Sequence, residues 1–406
     1  VRNDWASTLS EDNRSYAYYS ASVSALLTRF IDPTEQTFDL FKVRAGYAEV
    51  GNDTDPYQLS QTFDVPGQGY LGLTTLTAPS VKLNPDLRPE QVTSTEFGLE
   101  LVMFNNRLNL DISVYDISTT DLIFNVPVPA ATGYQFFKQN VGEVNNKGFE
   151  VTIGGRPIQS GKFVWDTSLN FARNDNYLVS LIDDVESFAY LNSNSGDLQL
   201  RAQVGGSIGD IYGTVWETND SGQNLVTAEG LHVISPADNL LGNAEPNFIG
   251  GWSNLFRYDN ISLSLQIDGR FGGEFYSMTA RDLDVNGVSA ASLQYRDGVT
   301  LSGTNTGTGG ANNVAITGQQ YWSSQSGIAE NYVYDQTNVR LREVALGYQI
   351  PNTERFGVEN ASIQLIGRNL FFITKDSRGG TGFGFDPENM LGTTIGAQGY
   401  QSYAAP

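Results

Sequence analysis

Residues 87–116 read LRPEQVTSTEFGLELVMFNNRLNLDISVYD, and this stretch decides the fold. In its second half Leu108, Leu110, Ile112 and Val114 alternate with Asn109, Asp111, Ser113 and Tyr115. Successive side chains of a strand point to opposite faces, so a period of two makes one face apolar and the other polar. Phe97, Leu99, Leu101 and Met103 repeat the pattern against Glu96, Gly98 and Glu100. Between the two runs, Asn105-Asn106 tolerates positive φ and predicts a tight two-residue hairpin. The stretch is two antiparallel strands sharing one apolar face.

Their length is unusual. Soluble strands average about five to six residues, whereas each of these runs to about eleven, or roughly 36 Å of strand. Tilted near 45°, that becomes about 25 Å of height, the apolar band of an outer-membrane β-barrel. A soluble sandwich produces the same alternation but rarely needs the length.

Working outward, the chain of 406 residues has room for two or three average domains or one large barrel. No run approaches eighteen consecutive apolar residues, so no transmembrane helix is expected. The opening Val1-Arg2-Asn3-Asp4-Trp5 resembles no signal peptide and reads like the middle of a longer protein. Forty-three glycines, 22 Phe and 20 Tyr, with few helix-period runs, indicate an all-β chain. The absence of cysteine rules out disulfide and thiol chemistry. A net charge of −21 disfavours nucleic acid and anionic lipid surfaces as partners. The mean hydropathy of −0.27 is compatible with a barrel, whose lumen and loops dilute its lipid-facing residues.

Ten long strands are expected, at 16–30, 39–50, 94–104, 107–118, 147–156, 162–173, 246–257, 261–271, 333–350 and 361–374. Long loops fill 51–92, 119–146, 174–245 (with a small hairpin of its own around Trp216) and 272–331. The last of these carries SGTNTGTGGANN (302–313), a low-complexity tract expected to be mobile. In the ninth strand the apolar parity changes between Val339-Leu341 and Val344-Leu346-Tyr348, which predicts a bulge near Arg342-Glu343. Short and long connections then alternate, as periplasmic turns and external loops do in an outer-membrane barrel. Lys or Arg on the lipid face costs about 2–4 kcal/mol at the midplane. Lys42, Arg44, Glu96, Glu100, Asp111 and Asp268 all oppose the apolar parity, so they are assigned to a wide, wet lumen.

Several of these residues carry a family resemblance. LNPDLRPEQVTSTEFGLEL (83–101), FNNRLNLDISVYDISTTDLI (104–123), NVGEVNNKGFEVTI (140–153), FVWDTSLNFARNDNYLVSL (163–181), NVRLREVALGYQIP (338–351) and IGRNLFFIT (366–374) resemble, in this order, the carboxy-terminal barrel of the SusC family of TonB-dependent outer-membrane transporters. The resemblance implies an antiparallel transmembrane β-barrel of 22 strands, of which ten are present. The plug domain, the TonB-contacting segment and a closing strand after Gln401–Pro406 would lie outside this chain. It further implies energy-coupled import of an oligosaccharide or peptide, a SusD-like surface lipoprotein as partner, TonB contact elsewhere, outer-membrane lipid around the wall, and no enzyme activity. A passive porin and a secreted, soluble glycan-binding or glycan-cleaving β-protein are the alternatives.

Candidate site residues are few. Tyr134, Phe136, Phe137, Trp216, Tyr321 and Trp322 lie in the long loops, where they could stack on sugar rings or grip a peptide. They equally suit loop-on-loop packing or a partner surface. Asp282, Asp284 and Asn286, followed by Gly287, match the opening of a calcium loop, although Leu293 stands where the bidentate glutamate belongs. His232 has no second His or Cys for zinc. The prolines and Arg88 of 84–90, with Asn140, Gly142, Asn146 and Gly148, read as turn chemistry. Asp183-Asp184 are neighbours on a loop with nothing to raise a pKa, and no phosphate loop, nucleophile elbow or metal-ligand spacing is present.

Overall fold

A computed structural model of the chain describes residues 1–34, 37–65, 67, 73–182, 185–193, 196–375, 386–388 and 400–401. Asp183-Asp184 and 402–406 therefore lie outside the described residues. Among the described residues ten strands form the wall: β1 Ser20–Leu26, β2 Phe38–Asn52, β3 Glu90–Met103, β4 Leu108–Pro127, β5 Phe136–Ser160, β6 Phe163–Ser180, β7 Phe248–Tyr258, β8 Ile261–Phe271, β9 Asn338–Ile350 and β10 Ala361–Lys375. The chain divides into two compact units, and the β5–β6 hairpin contributes residues to both.

In the first unit the order β1-β2-β3-β4-β5-β6 follows the sequence. The register sets Ala25 against Val43, Val43 against Leu99 and Leu99 against Ile112, so apolar residues line up across four strands. In the second unit the order continues β5-β6-β7-β8-β9-β10, with Leu169 against Trp252, Trp252 against Ile267 and Ile267 against Leu341. Among the described residues no second layer covers this apolar face: Val23 is 64% exposed, Phe97 57% and Leu365 74%. An uncovered apolar face inverts the arrangement of a soluble sheet. One amide interrupts the apolar face. Asn254 is buried there, accepting from Trp165 Nε1 at 3.0 Å and Thr167 Oγ1 at 2.9 Å.

Against β8 the register passes from Gln266–Glu343 to Ile267–Leu341, leaving Arg342 as the bulged residue the parity change predicts. Other expectations are corrected. The hairpin after β3 is four residues, Phe104–Arg107, with Phe104, Asn105 and Asn106 all at positive φ and Arg107 N donating to Met103 O. The first strand is broken: Ser15–Tyr18 pairs with Arg2–Trp5, and β1 ends at Leu26. Thr28–Ile31 then makes one helical turn, α1, closed by Asp32 N donating to Thr28 O, and the Asp32 carboxylate accepts from Thr37 N and Phe38 N where β2 begins. The supposed loop 119–146 is mostly strand, since β4 runs to Pro127 and β5 starts at Phe136.

The long insertions of the second unit hold a core. Leu198–Gln203, Asp210–Gly213 and Asn239–Asn243 pair antiparallel, where a single small hairpin had been expected. Leu198, Leu200 and Ile211 are fully buried there. Tyr276 donates to Asp197 Oδ2 at 3.0 Å, giving that buried carboxylate a partner. Nor does tract 302–313 stand free. Thr304-Asn305 runs parallel to Leu225-Val226, and buried Asn305 donates to Thr227 O at 3.0 Å while accepting from Gly307 N.

Candidate functional site

The polar face of the first unit is a ladder of ion pairs. Lys42 meets Glu100 at 3.0 Å, and Arg44 binds Asp111 through both terminal nitrogens at 2.9 Å. Glu96 stands 3.5 Å from Arg44 Nε. Gly98 makes this possible, because a Cβ there would come within 2.2 Å of Arg44 Nε. Every pair remains partly solvated, so each contributes little to stability and the face as a whole stays hydrophilic.

Where β2 and β3 approach the 53–89 connection, a cleft of about 280 Å³ opens between Tyr16, Tyr18, Arg88, Glu90 and Asp121. Arg88 holds Asp121 at 2.6 Å, Glu90 accepts from Asn52 at 2.8 Å, and Asn140 clamps the backbone at Arg88 and Asp121. The 84–90 turn residues thus build a cleft wall, which composition alone did not reveal. Phe136 and Phe137 are strand residues beside Val81 and Lys82, and the Lys82 ammonium lies 5.0 Å above the Phe137 ring. Tyr134, half-buried, follows a single 3-10 turn at Ala130–Thr132.

In the second unit Trp216 and Tyr321 meet around His232, and Trp322 joins them through Tyr321. The His232 ring lies 4.4 Å from Trp216 and 5.4 Å from Tyr321, and its Nδ1 is 2.6 Å from Ser324 Oγ. Tyr321 also touches Tyr295 at 4.6 Å and Trp322 at 5.0 Å. Both indoles spend their N–H on backbone, Trp216 on Leu225 O at 2.7 Å and Trp322 on Gln294 O at 3.3 Å. Burial pushes His232 down to about 4, so the imidazole is neutral. Tyr295 is the member the sequence reading missed, and His232, weighed there only against zinc, is instead packed among these rings.

The calcium-loop expectation is corrected in conformation. Met278–Val285 is helix α2, capped by Ser277, so Asp282 and Asp284 diverge by about 100° per residue rather than converging. Asp284 is buried, accepts from Ser289 Oγ at 2.5 Å, and has its pKa raised by that burial; Asp282 pairs with Arg281. Among the described residues no three His, Asp or Glu side chains gather as a metal would need.

Residues 1–198 match the model of the TonB dependent receptor-like β-barrel. These residues belong to the TonB-dependent receptor β-barrel family. It is 30% identical to TonB-dependent receptor P3 of Formosa agariphila, across 92% of this chain and 39% of that protein. With TonB-dependent receptor SusC of Bacteroides thetaiotaomicron it shares 23% identity over 97% of this chain and 40% of SusC. Among solved structures, the RagAB peptide importer in its closed-closed state superposes with a TM-score of 0.71 at 20% identity, over 92% of this chain and 42% of that one. The chain spans about two-fifths of the length of these relatives. Membership accounts for the inverted sheet: the apolar face meets outer-membrane lipid of a Gram-negative cell and the ion-pair ladder faces the lumen. No described helix is long and apolar enough to cross a membrane, which says nothing of crossing by strands.

Proposed function

We propose that this chain supplies barrel wall and external-loop surface to an energy-coupled importer of oligosaccharide or peptide, as the carboxy-terminal part of its barrel. The supporting observation is the lumenal face, lined with solvated ion pairs from strands whose other face is apolar and uncovered. Such a wall suits a wide aqueous passage in hydrocarbon. A SusD-like surface lipoprotein is the partner proposed for the external loops, and TonB the partner for segments beyond this chain. Uptake of labelled oligosaccharides and peptides by cells carrying the full-length protein tests the reading. Uptake should stop when TonB is deleted or the proton gradient is collapsed. Uptake that persists in both cases would assign the protein to passive porins.

A further inference from the structure

In the second unit, β8 and β9 carry three arginines on the polar face close to the long connections: Arg270, Arg340 and Arg342. The register sets Asp268 opposite Arg340 and Asn338 opposite Arg270. Beyond β10 the chain returns to this place with Asp386-Pro387-Glu388. Arg340 lies 3.1 Å from Asp386 and 2.9 Å from Glu388, and Arg342 lies 2.7 Å from Glu388. Arg342 also holds Asp268 at 2.7 Å and Asn369 at 2.9 Å. Glu388 N donates to the Asp386 carboxylate at 3.0 Å, so the three residues form a small turn presenting both acids together.

Two features separate this cluster from an ordinary structural network. First, the carboxylates that meet two of the guanidinium groups come from a returning segment, while the wall itself offers Asp268 alone. Second, the wall has unused capacity. Arg270 donates to Ala244 O at 2.7 Å and forms no ion pair among the described residues. Arg270 Nε, Arg340 Nε, Asp268 Oδ1 and Asn338 Oδ1 are buried with no hydrogen-bond partner there. Leaving such groups unmatched is unfavourable, because each has given up its water without gaining a partner. Guanidinium forks match carboxylates bidentately, and in a chain of net charge −21 a row of three arginines is a local exception.

We propose that Arg270, Arg340 and Arg342 form a carboxylate-binding site on the lumenal wall, that Asp386 and Glu388 are its resident ligands, and that a carboxylate on the imported substrate exchanges with them. Exchange frees the 386–388 segment and couples substrate arrival to a movement of chain at the wall. This rests on the import reading and adds a substrate feature to it, a free carboxylate from a uronic acid or a peptide terminus.

The test is hydrogen–deuterium exchange of the peptide bearing Asp386–Glu388 in the full-length transporter. Trigalacturonate, or trialanine with a free carboxyl terminus, should speed exchange about tenfold or more, the loss of charged hydrogen bonds. Maltotriose and amidated trialanine should not. A response to only one of the two anions identifies the source of the carboxylate. The D386N/E388Q variant, altered outside the wall strands, should show the fast rate without any probe. Equal responses to acidic and neutral probes, or unchanged protection in D386N/E388Q, would overturn the proposal. TonB-dependent uptake with an unresponsive segment defeats this site alone, whereas a responsive segment without TonB-dependent uptake defeats only the import reading.

Discussion

The wall strands and the insertions of the second unit obey opposite rules of sidedness. On β9 and β10, Leu346 and Leu365 stand open while Arg340 and Arg342 are shielded by acids. In the insertions, Leu198, Leu200, Ile211 and Tyr332 vanish into a core and charged residues lie mostly outside, as in any soluble domain. One chain thus carries two solvents in its pattern: hydrocarbon against the strands and water against the insertions. The hydrophobic effect drives burial only where the alternative is water, so the same leucine has different worth in the two regions.

The sharpest way to break this contrast is to make the same substitution in both. Leu200→Ala should destabilise the insertion by about 2–5 kcal/mol, the cost of a buried cavity. Leu365→Ala should cost below about 1 kcal/mol, since lipid fills the space. Thermal unfolding of the full-length protein, with hydrogen exchange to localise the loss, measures both; equal losses would mean that the wall has a second protein layer. Next in size, Leu346→Arg places a charge on the lipid face and should cost about 2–4 kcal/mol if it lies near the midplane. A heat-shift gel in detergent and in lipid vesicles checks it, with the folded band expected to weaken most in vesicles.

A smaller effect sharpens the insertion side. His232 titrates near 6.5 when unfolded and is pushed down to about 4 by burial. The opened insertion therefore takes a proton before the closed one does. Stability is complete above about pH 6.5 and falls as the pH drops toward 4. Protection factors of the 225–235 peptide at pH 7.5 and 5, in wild type and His232→Phe, should show a pH dependence only in wild type.

The strands were legible because each repeats one physical instruction, a side chain out and a side chain in, over ten or more residues. The Arg342 bulge was legible for the same reason: a parity change has only one cheap repair. Where that instruction weakens, the reading failed. Leu26-Leu27-Thr28-Arg29-Phe30 has strand-like residues, yet Thr28–Ile31 closes a helical turn just before Asp32 ties the chain to Thr37 and Phe38. The 119–146 segment carries Pro127, Pro129, Gly133 and Gly142, which read as loop, although β4 reaches Pro127 and β5 begins at Phe136. The site was less legible still. Trp216, Tyr321 and Trp322 each stand out in the sequence, but the meeting of Trp216 and Tyr321 at His232 depends on insertions folded against each other over long sequence distances. Alternation carries no information about that.

The bulge at Arg342 has an evolutionary corollary. Val339 and Leu341 precede the extra residue, and Val344, Leu346 and Tyr348 follow it with the opposite count. Removing that one codon would restore an uninterrupted zigzag without exchanging the inner and outer surfaces of the strand. Arg342 is therefore an appendix to the lattice, a side chain that a lineage can gain or shed in a single event while its neighbours keep their bearings.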